Sequence, residues 1–169
     1  MEPPVTAYEA TASATASVHH AVALRLAGAD QRYTPMRRAL VETLATAGRP
    51  LTVPEILLCS PRLPQSSAYR NITALADAGV VRRVLGNDDH GRFELTEDLS
   101  GHHHHLVCGA CGRVEDVAPS PRLEQALGEA MRAAAGQQGY EVLEHRLDMV
   151  GRCPDCRAPG VPASTSQPR

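Results

Sequence analysis

The segment HHHHLVCGAC, residues 102–111, decides the organisation of this 169-residue chain. It ends in the cysteine pair Cys108 and Cys111, and a 41-residue insert separates this pair from a second one, Cys153 and Cys156. In each pair the two residues between the cysteines allow a tight turn that directs both sulfurs to one point, so four thiolates can surround one tetrahedral Zn²⁺. We therefore predict a small domain built around a structural zinc ion. A disulfide pair or a redox dithiol is the alternative interpretation of such cysteines.

The four histidines that precede the first cysteine pair need a separate explanation, because four sulfurs already fill a tetrahedral site. They run directly into Leu106-Val107-Cys108, which has the character of a strand. Side chains alternate between the two faces of a strand, so His103 and His105 lie on one face and His104 lies on the other. This geometry predicts two further metal sites. His145 lies in a later apolar row, where it is either a core residue or another ligand.

Composition indicates a globular, cytoplasmic protein. Hydrophobic residues make up 43% of the chain and aromatic residues 3%, so small aliphatic cores would gain from cross-linking by a metal. No stretch approaches the roughly 18 apolar residues that span a membrane, and the N-terminus lacks a basic segment followed by an apolar one. In the cytoplasm thiols stay reduced and available to zinc. The remaining cysteine, Cys59, follows an apolar run and is expected in a core.

Charge is divided unevenly along the chain, which contains no lysine. Residues 25–92 hold ten arginines and six acidic residues, whereas residues 93–169 hold seven arginines and eleven acidic residues. The first part is therefore basic and the second is acidic and rich in metal ligands. This division favours a nucleic-acid-binding domain joined to a metal-binding domain.

The basic part has the pattern of three helices followed by a hairpin. Thr34-Pro35 is a helix start, and Thr52 with Glu55 forms a capping box that starts a second helix. Ser66 or Ser67 is expected to cap a third helix. Apolar segments at residues 80–85 and 92–95 then read as two strands joined by a turn. Three helices and a hairpin predict a winged helix-turn-helix; a plain helical bundle is the alternative.

A winged helix places the start of its last helix in the major groove of DNA. If Ile72 faces the core, Tyr69 and Arg70 lie on or near the exposed side close to the start of that helix, where they can reach base edges. Arg32 and Arg37 flank the first helix of this domain and are expected on phosphates.

The acidic part predicts an α/β domain. Residues 113–117 are predicted to form a strand, and Val142 to Val150 a last strand. Between them, Pro121 to Gly136 is predicted to form a helix with an inward apolar row that includes Leu123 and Leu127. The fold class is therefore α+β, with a winged helix at residues 18–92 and a metal-binding domain at residues 93–157. Residues 1–17 and 158–169 are expected to be disordered tails.

Four segments in this order and spacing resemble the ferric uptake regulator family of bacterial repressors. They are Arg32-Tyr33-Thr34 with Arg37, Ser66-Ser67-Ala68-Tyr69-Arg70, the histidine run with Cys108 and Cys111, and Gly151-Arg152-Cys153 with Cys156. The resemblance covers roughly residues 18–157. It implies a homodimer that joins a winged helix to a dimerisation domain, binds operator DNA when its regulatory metal is loaded and is not an enzyme. It also implies DNA contacts by Thr34, Ser66 and Ser67 together with the residues named above.

The resemblance also assigns the metal ligands. The four paired cysteines correspond to the structural zinc site, and His103 and His105 with Glu94 correspond to a regulatory site at the hinge between the domains. A further site in the dimerisation domain corresponds to His102, His104, Glu124 and His145. Iron-type members place a histidine where this chain has Pro50, and zinc-type members often use an aspartate and a cysteine where it has Arg82 and Asp98. The fourth hinge ligand is therefore sought in His90 or Asp98.

The identity of the regulatory metal stays open at this point. A site of histidines and carboxylates without thiolate holds Zn²⁺, Fe²⁺ or Mn²⁺; zinc is favoured because the chain carries clustered histidines and no redox machinery. A peroxide-sensing repressor of the same family is a further alternative. A zinc hydrolase, a thiol oxidoreductase and a metal-storage protein are alternatives from other classes. The sequence has neither an HExxH motif nor a βαβ pattern beside Cys108, and storage gives no reason for a winged helix.

Overall fold

The computed structural model describes residues 7–85 and 91–157, which divide into two compact units, Met1–Gly101 and His102–Arg169. We call these the N-terminal and C-terminal units. The division differs from the one expected after residue 92, because strand β3 (Gly91–Leu95) pairs with β2 (Val81–Leu85) and so belongs to the N-terminal unit. Mixed helix and sheet content confirms the α+β class.

The N-terminal unit contains helices α1 to α5 and one small sheet. The helices are α1 (Ala7–Gly28), α2 (Pro35–Ala47), α3 (Val53–Cys59), α4 (Gln65–Asp77) and α5 (Glu97–Ser100). A two-residue strand, β1 (Leu51–Thr52), pairs antiparallel with β3, giving the sheet order β1-β3-β2. Aliphatic side chains from α1, α2, α3 and α4 form one core with the sheet, including Leu26, Leu40, Ile56, Leu75 and Val81.

Local capping explains most of the helix starts. The Thr34 hydroxyl accepts a hydrogen bond from the Arg37 N–H at the start of α2, and Gly48 ends this helix in the left-handed region at φ 58°. Thr52 and Glu55 form the expected reciprocal capping box at α3. The expected Ser66 or Ser67 cap is wrong. Helix α4 begins earlier, at Gln65, because Pro64 supplies the extended cap conformation with its own restricted φ of −65°.

Helix α1 begins well before the position expected from the sequence. Residues 7–17 are helical, whereas the sequence predicted a disordered tail up to residue 17. This segment is rich in alanine and lacks proline and glycine, so it can continue a helix without an apolar stripe. The expected tail at residues 158–169 lies outside the described residues.

The C-terminal unit is a three-stranded sheet with one long helix. Its strands are β4 (His104–Cys108), β5 (Val114–Val117) and β6 (Asp148–Gly151), in the order β5-β4-β6, and its helices are α6 (Pro121–Gln137) and the short α7 (Pro154–Arg157). Strand β4 pairs antiparallel with β5 and parallel with β6. Within the described ranges, no helix of either unit is both long and apolar enough to cross a membrane.

Two expectations for the C-terminal unit are wrong. The last strand does not run from Val142 to Val150, because β4 is only five residues long and pairs with residues 148–151 alone. The apolar row of α6 is not buried within one chain: no residue of this helix is buried, and Leu123 is 39% exposed. The small sheet does not cover this helix.

Candidate metal centres and DNA-binding surface

The four paired cysteines converge in the C-terminal unit. Cys108 ends β4, and Cys111 follows in the turn towards β5. Cys153 immediately precedes α7, and Cys156 lies within this helix. The parallel register that places Cys108 opposite Gly151 brings the two pairs together. The four sulfur atoms all lie within 4.8 Å of one another, and those of Cys111 and Cys153 are 3.8 Å apart. All four are free thiols rather than disulfides.

Electrostatics of the cysteine cluster fit a bound cation. Burial raises the pKa of Cys108, but backbone N–H groups of Cys153, Cys111 and Ala110 outweigh it and lower that pKa to about 6. Hydrogen bonds with the neighbouring sulfurs of Cys153 and Cys111 raise the pKa of Cys156 to about 12. Without a cation, the cluster therefore favours the thiolate form of Cys108 and the thiol form of Cys156. A divalent ion removes this conflict, because it binds the deprotonated form of every cysteine.

A second cluster joins β4, α6 and the segment before β6. Its members are His102, His104, Glu124 and His145, whose ligand atoms lie within 4.8 Å of one another. The Glu124 carboxylate is the common partner: its oxygens lie 2.7 Å from Nε2 of His104, 3.2 Å from Nε2 of His102 and 3.3 Å from Nε2 of His145. Ser120 caps α6 through the Leu123 N–H and so places Glu124 in the first turn.

Two imidazole nitrogens of this second cluster are buried without a hydrogen bond. In the part of the chain that the structure describes, Nδ1 of His104 has no hydrogen-bond partner, and Nε2 of His145 lies near the Glu124 carboxylate without the geometry of a hydrogen bond. Such buried polar atoms are costly unless a ligand binds them. Partial desolvation raises the pKa of Glu124, but the hydrogen bond with His104 and the neighbouring His102 and His145 hold it below its ordinary value. One carboxylate and three imidazoles together form a donor set that fits a divalent cation.

A third group lies on the other face of β4. His103, His105 and Asp116 bring ligand atoms within 4.8 Å of one another, with Asp116 oxygens 4.0 Å from Nε2 of His103 and 3.8 Å from Nε2 of His105. Asp116 lies on β5 directly opposite His105 in the antiparallel pairing. The other ring nitrogen of His105, Nδ1, lies 3.0 Å from Oδ1 of Asp148 on β6. Alternation along β4 thus separates the two histidine pairs, as the sequence predicted.

The sequence patterns did not indicate Asp116. They indicated His90 or Asp98 as the fourth ligand of the regulatory site. Asp98 lies on α5, where its carboxylate forms an ion pair with Arg25. His90 lies outside the described residues. Glu94, the other residue assigned to the regulatory site, is buried on β3 and accepts a hydrogen bond from Nε of Arg82 at 2.5 Å. Arg82 also donates to Glu97, and these carboxylates raise its pKa against the effect of burial.

The expected DNA-reading residues are accessible on α4. Tyr69 is 49% exposed and Arg70 is also exposed, while Ile72 and Leu75 on the same helix are buried. Ser66 and Arg32 are exposed as well, and Ser67 is half-buried. Thr34 caps α2. Arg37 differs from the others, because its guanidinium donates three hydrogen bonds within the protein.

Sequence comparison identifies the family. The profile of the ferric uptake regulator family matches residues 28–150, which include the helix-turn-helix and most of the metal ligands. The chain belongs to this family. A relative from the family, the peroxide-responsive repressor PerR of Staphylococcus epidermidis, is 30% identical over 141 residues, covering 81% of this chain and 87% of the relative. The PerR of Staphylococcus aureus is 30% identical over 138 residues, or 79% of this chain and 86% of its own length.

Solved structures of the ferric uptake regulator family have the same fold. The Vibrio cholerae ferric uptake regulator is similar at a TM-score of 0.63 and 23% identity, covering 78% of this chain and 98% of that one. The Helicobacter pylori ferric uptake regulator has a TM-score of 0.64 and 20% identity, covering 84% and 93%. The α+β fold expected from the resemblance is thereby confirmed.

Proposed function

We propose that this protein is a metal-dependent, sequence-specific transcriptional repressor of metal homeostasis genes and has no enzymatic activity. The observation that carries the proposal is the combination of three ligand clusters in the C-terminal unit with an exposed helix α4 in the N-terminal unit. Membership of the ferric uptake regulator family supports it. Operator DNA is the macromolecular partner, and the cytoplasm is the expected compartment.

The cysteine cluster is proposed to hold structural Zn²⁺. Four sulfurs in a shared cluster form the donor set that zinc takes in closed structural sites. The cluster joins the β4–β5 turn to the start of α7, so the ion would cross-link the C-terminal unit. A sheet with strands of four and five residues gains much from such a cross-link.

The regulatory site is proposed to contain His103, His105 and Asp116. The family resemblance adds Glu94, and the four side chains then supply two nitrogens and two carboxylates. A cation held by residues of both units would restrict their relative motion. Two DNA half-sites are read together only when the recognition helices stand about 34–36 Å apart. Metal loading would therefore improve DNA affinity by pre-organising the dimer rather than by adding contacts.

An additional site is proposed at His102, His104, Glu124 and His145. Three imidazoles and one carboxylate form a donor set suited to zinc. We propose zinc as the co-repressor because the four adjacent histidines supply imidazole ligands, which suit zinc. Fe²⁺ and Mn²⁺ bind the same ligand types, so the test includes all three ions.

The C-terminal unit is proposed to form a homodimer. Large apolar side chains are exposed on it, among them Leu106 at 45%, Leu143 at 87% and Val150 at 73%, and helix α6 buries no residue within one chain. Exposed apolar surface of this extent marks an interaction site. A second copy of the chain would cover it and supply the second recognition helix.

Selection from a random pool of DNA duplexes tests this function. Protein stripped of loosely bound ions, with the cysteine-bound zinc retained, is offered the pool without metal and with Zn²⁺, Fe²⁺ or Mn²⁺. We expect enrichment of one sequence only when metal is present, and the ion that acts at the lowest free concentration is the co-repressor. Equal enrichment without metal, or none with any ion, would refute the proposal.

A peroxide-responsive repressor is the second candidate, and the names of the relatives at 30% identity favour it. In that case a ligand histidine, His103 or His105, would gain one oxygen atom from hydrogen peroxide in a reaction promoted by Fe²⁺, with water as the other product. Mass spectrometry after peroxide treatment of the iron-loaded protein would show this oxygen on one of the two histidines, together with loss of DNA binding. Loss of DNA binding without any added oxygen would contradict this candidate.

A further inference from the structure

Arg37 connects three segments of the N-terminal unit through its guanidinium. Nε donates to Oδ1 of Asn71 on α4 at 3.1 Å, one terminal nitrogen donates to the Arg32 carbonyl at 2.7 Å, and the other donates to Oε1 of Gln31 at 2.7 Å. The backbone N–H of Arg37 donates a hydrogen bond to the Thr34 hydroxyl oxygen at 3.3 Å. One side chain in the first turn of α2 thus binds both the loop before α2 and the recognition helix.

Asn71 is held from both sides. Its amide nitrogen donates to the Ser67 carbonyl one turn earlier in α4 at 2.8 Å and contacts the Met36 sulfur at 3.3 Å, while its amide oxygen accepts from Arg37. The amide is therefore fixed to its own helix on one side and to α2 on the other. Asn71 directly follows Tyr69 and Arg70 in the chain, so this contact lies next to the residues expected to read DNA.

We propose that Arg37 is a positioning residue for DNA recognition rather than the phosphate contact expected from the sequence. With Asn71 it fixes the rotation of α4, and hence the direction of Tyr69 and Arg70. Through the Arg32 carbonyl it also fixes the loop that carries the Arg32 side chain. This inference rests on the proposed DNA-binding function.

The chemistry of the guanidinium separates the two roles. A phosphate contact depends mainly on charge, which lysine also provides, whereas three hydrogen bonds in three directions need the planar fork of arginine. A lysine at position 37 keeps the charge but cannot bind Asn71, Arg32 and Gln31 together. Substitution by lysine therefore distinguishes a positioning role from an electrostatic one.

The experiment compares Arg37→Lys, Arg37→Ala and Asn71→Ala with the metal-loaded wild type. Affinities are measured for a duplex that the wild type selects from a random pool and for a scrambled duplex, over a salt series. Arg32→Lys and Arg32→Ala are the matched controls, since Arg32 is exposed and keeps its carbonyl in either variant. Thermal melting establishes whether each variant folds. If Arg37→Ala does not fold, Asn71→Ala tests the positioning role, because it removes the same contact.

We expect Arg37→Lys and Asn71→Ala each to lose about tenfold or more of the affinity for the selected duplex. Affinity for the scrambled duplex and the salt dependence of Arg37→Lys should stay as in the wild type. The double variant Arg37→Lys/Asn71→Ala should lose little more than either single variant, because both remove the same contact. The Arg32→Lys control should retain most of its affinity for both duplexes.

Wild-type affinity of Arg37→Lys for the selected duplex would overturn the positioning role. So would equal losses on both duplexes, with the salt slope of Arg37→Ala reduced by about one unit, because that is the result of a lost phosphate contact. If the wild type selects no duplex at all, the proposed DNA-binding function is wrong. If it does select a duplex and Arg37→Lys binds that duplex like the wild type, only the positioning role is wrong.

Discussion

Nδ1 of His105 lies 3.0 Å from Oδ1 of Asp148, directly opposite in the parallel pairing of β4 and β6. This contact leaves Nε2 of His105 on the side of Asp116, at 3.8 Å. A carboxylate that binds the second nitrogen of a ligand histidine fixes the ring orientation and increases the basicity of the metal-binding nitrogen. Asp148 would therefore orient His105 in the proposed regulatory site.

Replacing Asp148 by Asn should weaken the regulatory site without removing it. We expect the affinity for the regulatory ion to fall about 10–100-fold, as for other carboxylates behind ligand histidines. Isothermal titration of the stripped protein measures this change. Asp155→Asn is the control, since Asp155 pairs with Arg113 in the same unit. Unchanged affinity in Asp148→Asn would show that His105 does not depend on this carboxylate.

Replacing Cys153 by Ser should destroy the structural site. About one Zn²⁺ per chain should be lost and the C-terminal unit should unfold or become monomeric, because structural zinc sites contribute roughly 10–16 kcal/mol. Elemental analysis, circular dichroism and light scattering report these changes. Cys59→Ser is the control, because Cys59 is exposed and lies in the N-terminal unit. A Cys153→Ser dimer with full zinc and stability would exclude the proposed cross-link.

Replacing Glu124 by Gln should abolish the additional site. The carboxylate contacts all three histidines of this cluster, so its charge holds them around one point. We expect the affinity of one ion to fall more than about 100-fold, since changes outside the ligand shell already cost about 10–100-fold. Glu129→Gln on the same helix is the control. Retention of every ion by Glu124→Gln would mean that this cluster is a hydrogen-bonded network only.

Replacing Arg70 by Ala should reduce sequence discrimination. A guanidinium bound to a guanine in two places contributes roughly 1–3 kcal/mol of discrimination, so affinity should fall more for the selected duplex than for a scrambled one. Arg32→Ala should instead weaken binding to both and lower the salt slope by about one unit. Binding of both duplexes across a salt series measures these effects. If Arg70→Ala weakens both by the same factor, α4 does not read the sequence.

Local signals predicted helix starts in the N-terminal unit and the two faces of β4 in the C-terminal unit. The Thr34 cap, the Thr52–Glu55 capping box and the alternation along β4 each depend on neighbouring residues, and all three are confirmed. The start of α4 was placed wrongly because Pro64 supplies the cap geometry before either serine is reached. Here a backbone restriction decided the helix start, and capping propensity alone did not reveal it.

The ligand clusters depend on pairing between distant segments, which periodicity does not fix. Asp116 was missed although the hairpin offered a signal: with Val107 opposite Val114, counting outward places Asp116 opposite His105. Likewise, Asp148 becomes a neighbour of His105 only through the parallel pairing of β4 with β6. Strand β6 is short because its partner β4 has only five residues, and α6 is exposed because the small sheet does not cover it. A helical or alternating sequence pattern predicts neither the length of a partner strand nor the size of a sheet.

Metal and operator DNA are proposed to bind cooperatively, and fluorescence anisotropy measures the effect of metal on DNA binding. DNA affinity of the stripped wild type is measured with and without the regulatory ion, and metal affinity is measured with and without the selected duplex, with His103→Ala as the control. We expect metal to raise DNA affinity by about 5–150-fold and DNA to raise metal affinity by the same factor, with no such effect in His103→Ala. If the wild type binds DNA with the same affinity with and without every divalent ion, DNA binding does not depend on metal and the proposed coupling is wrong.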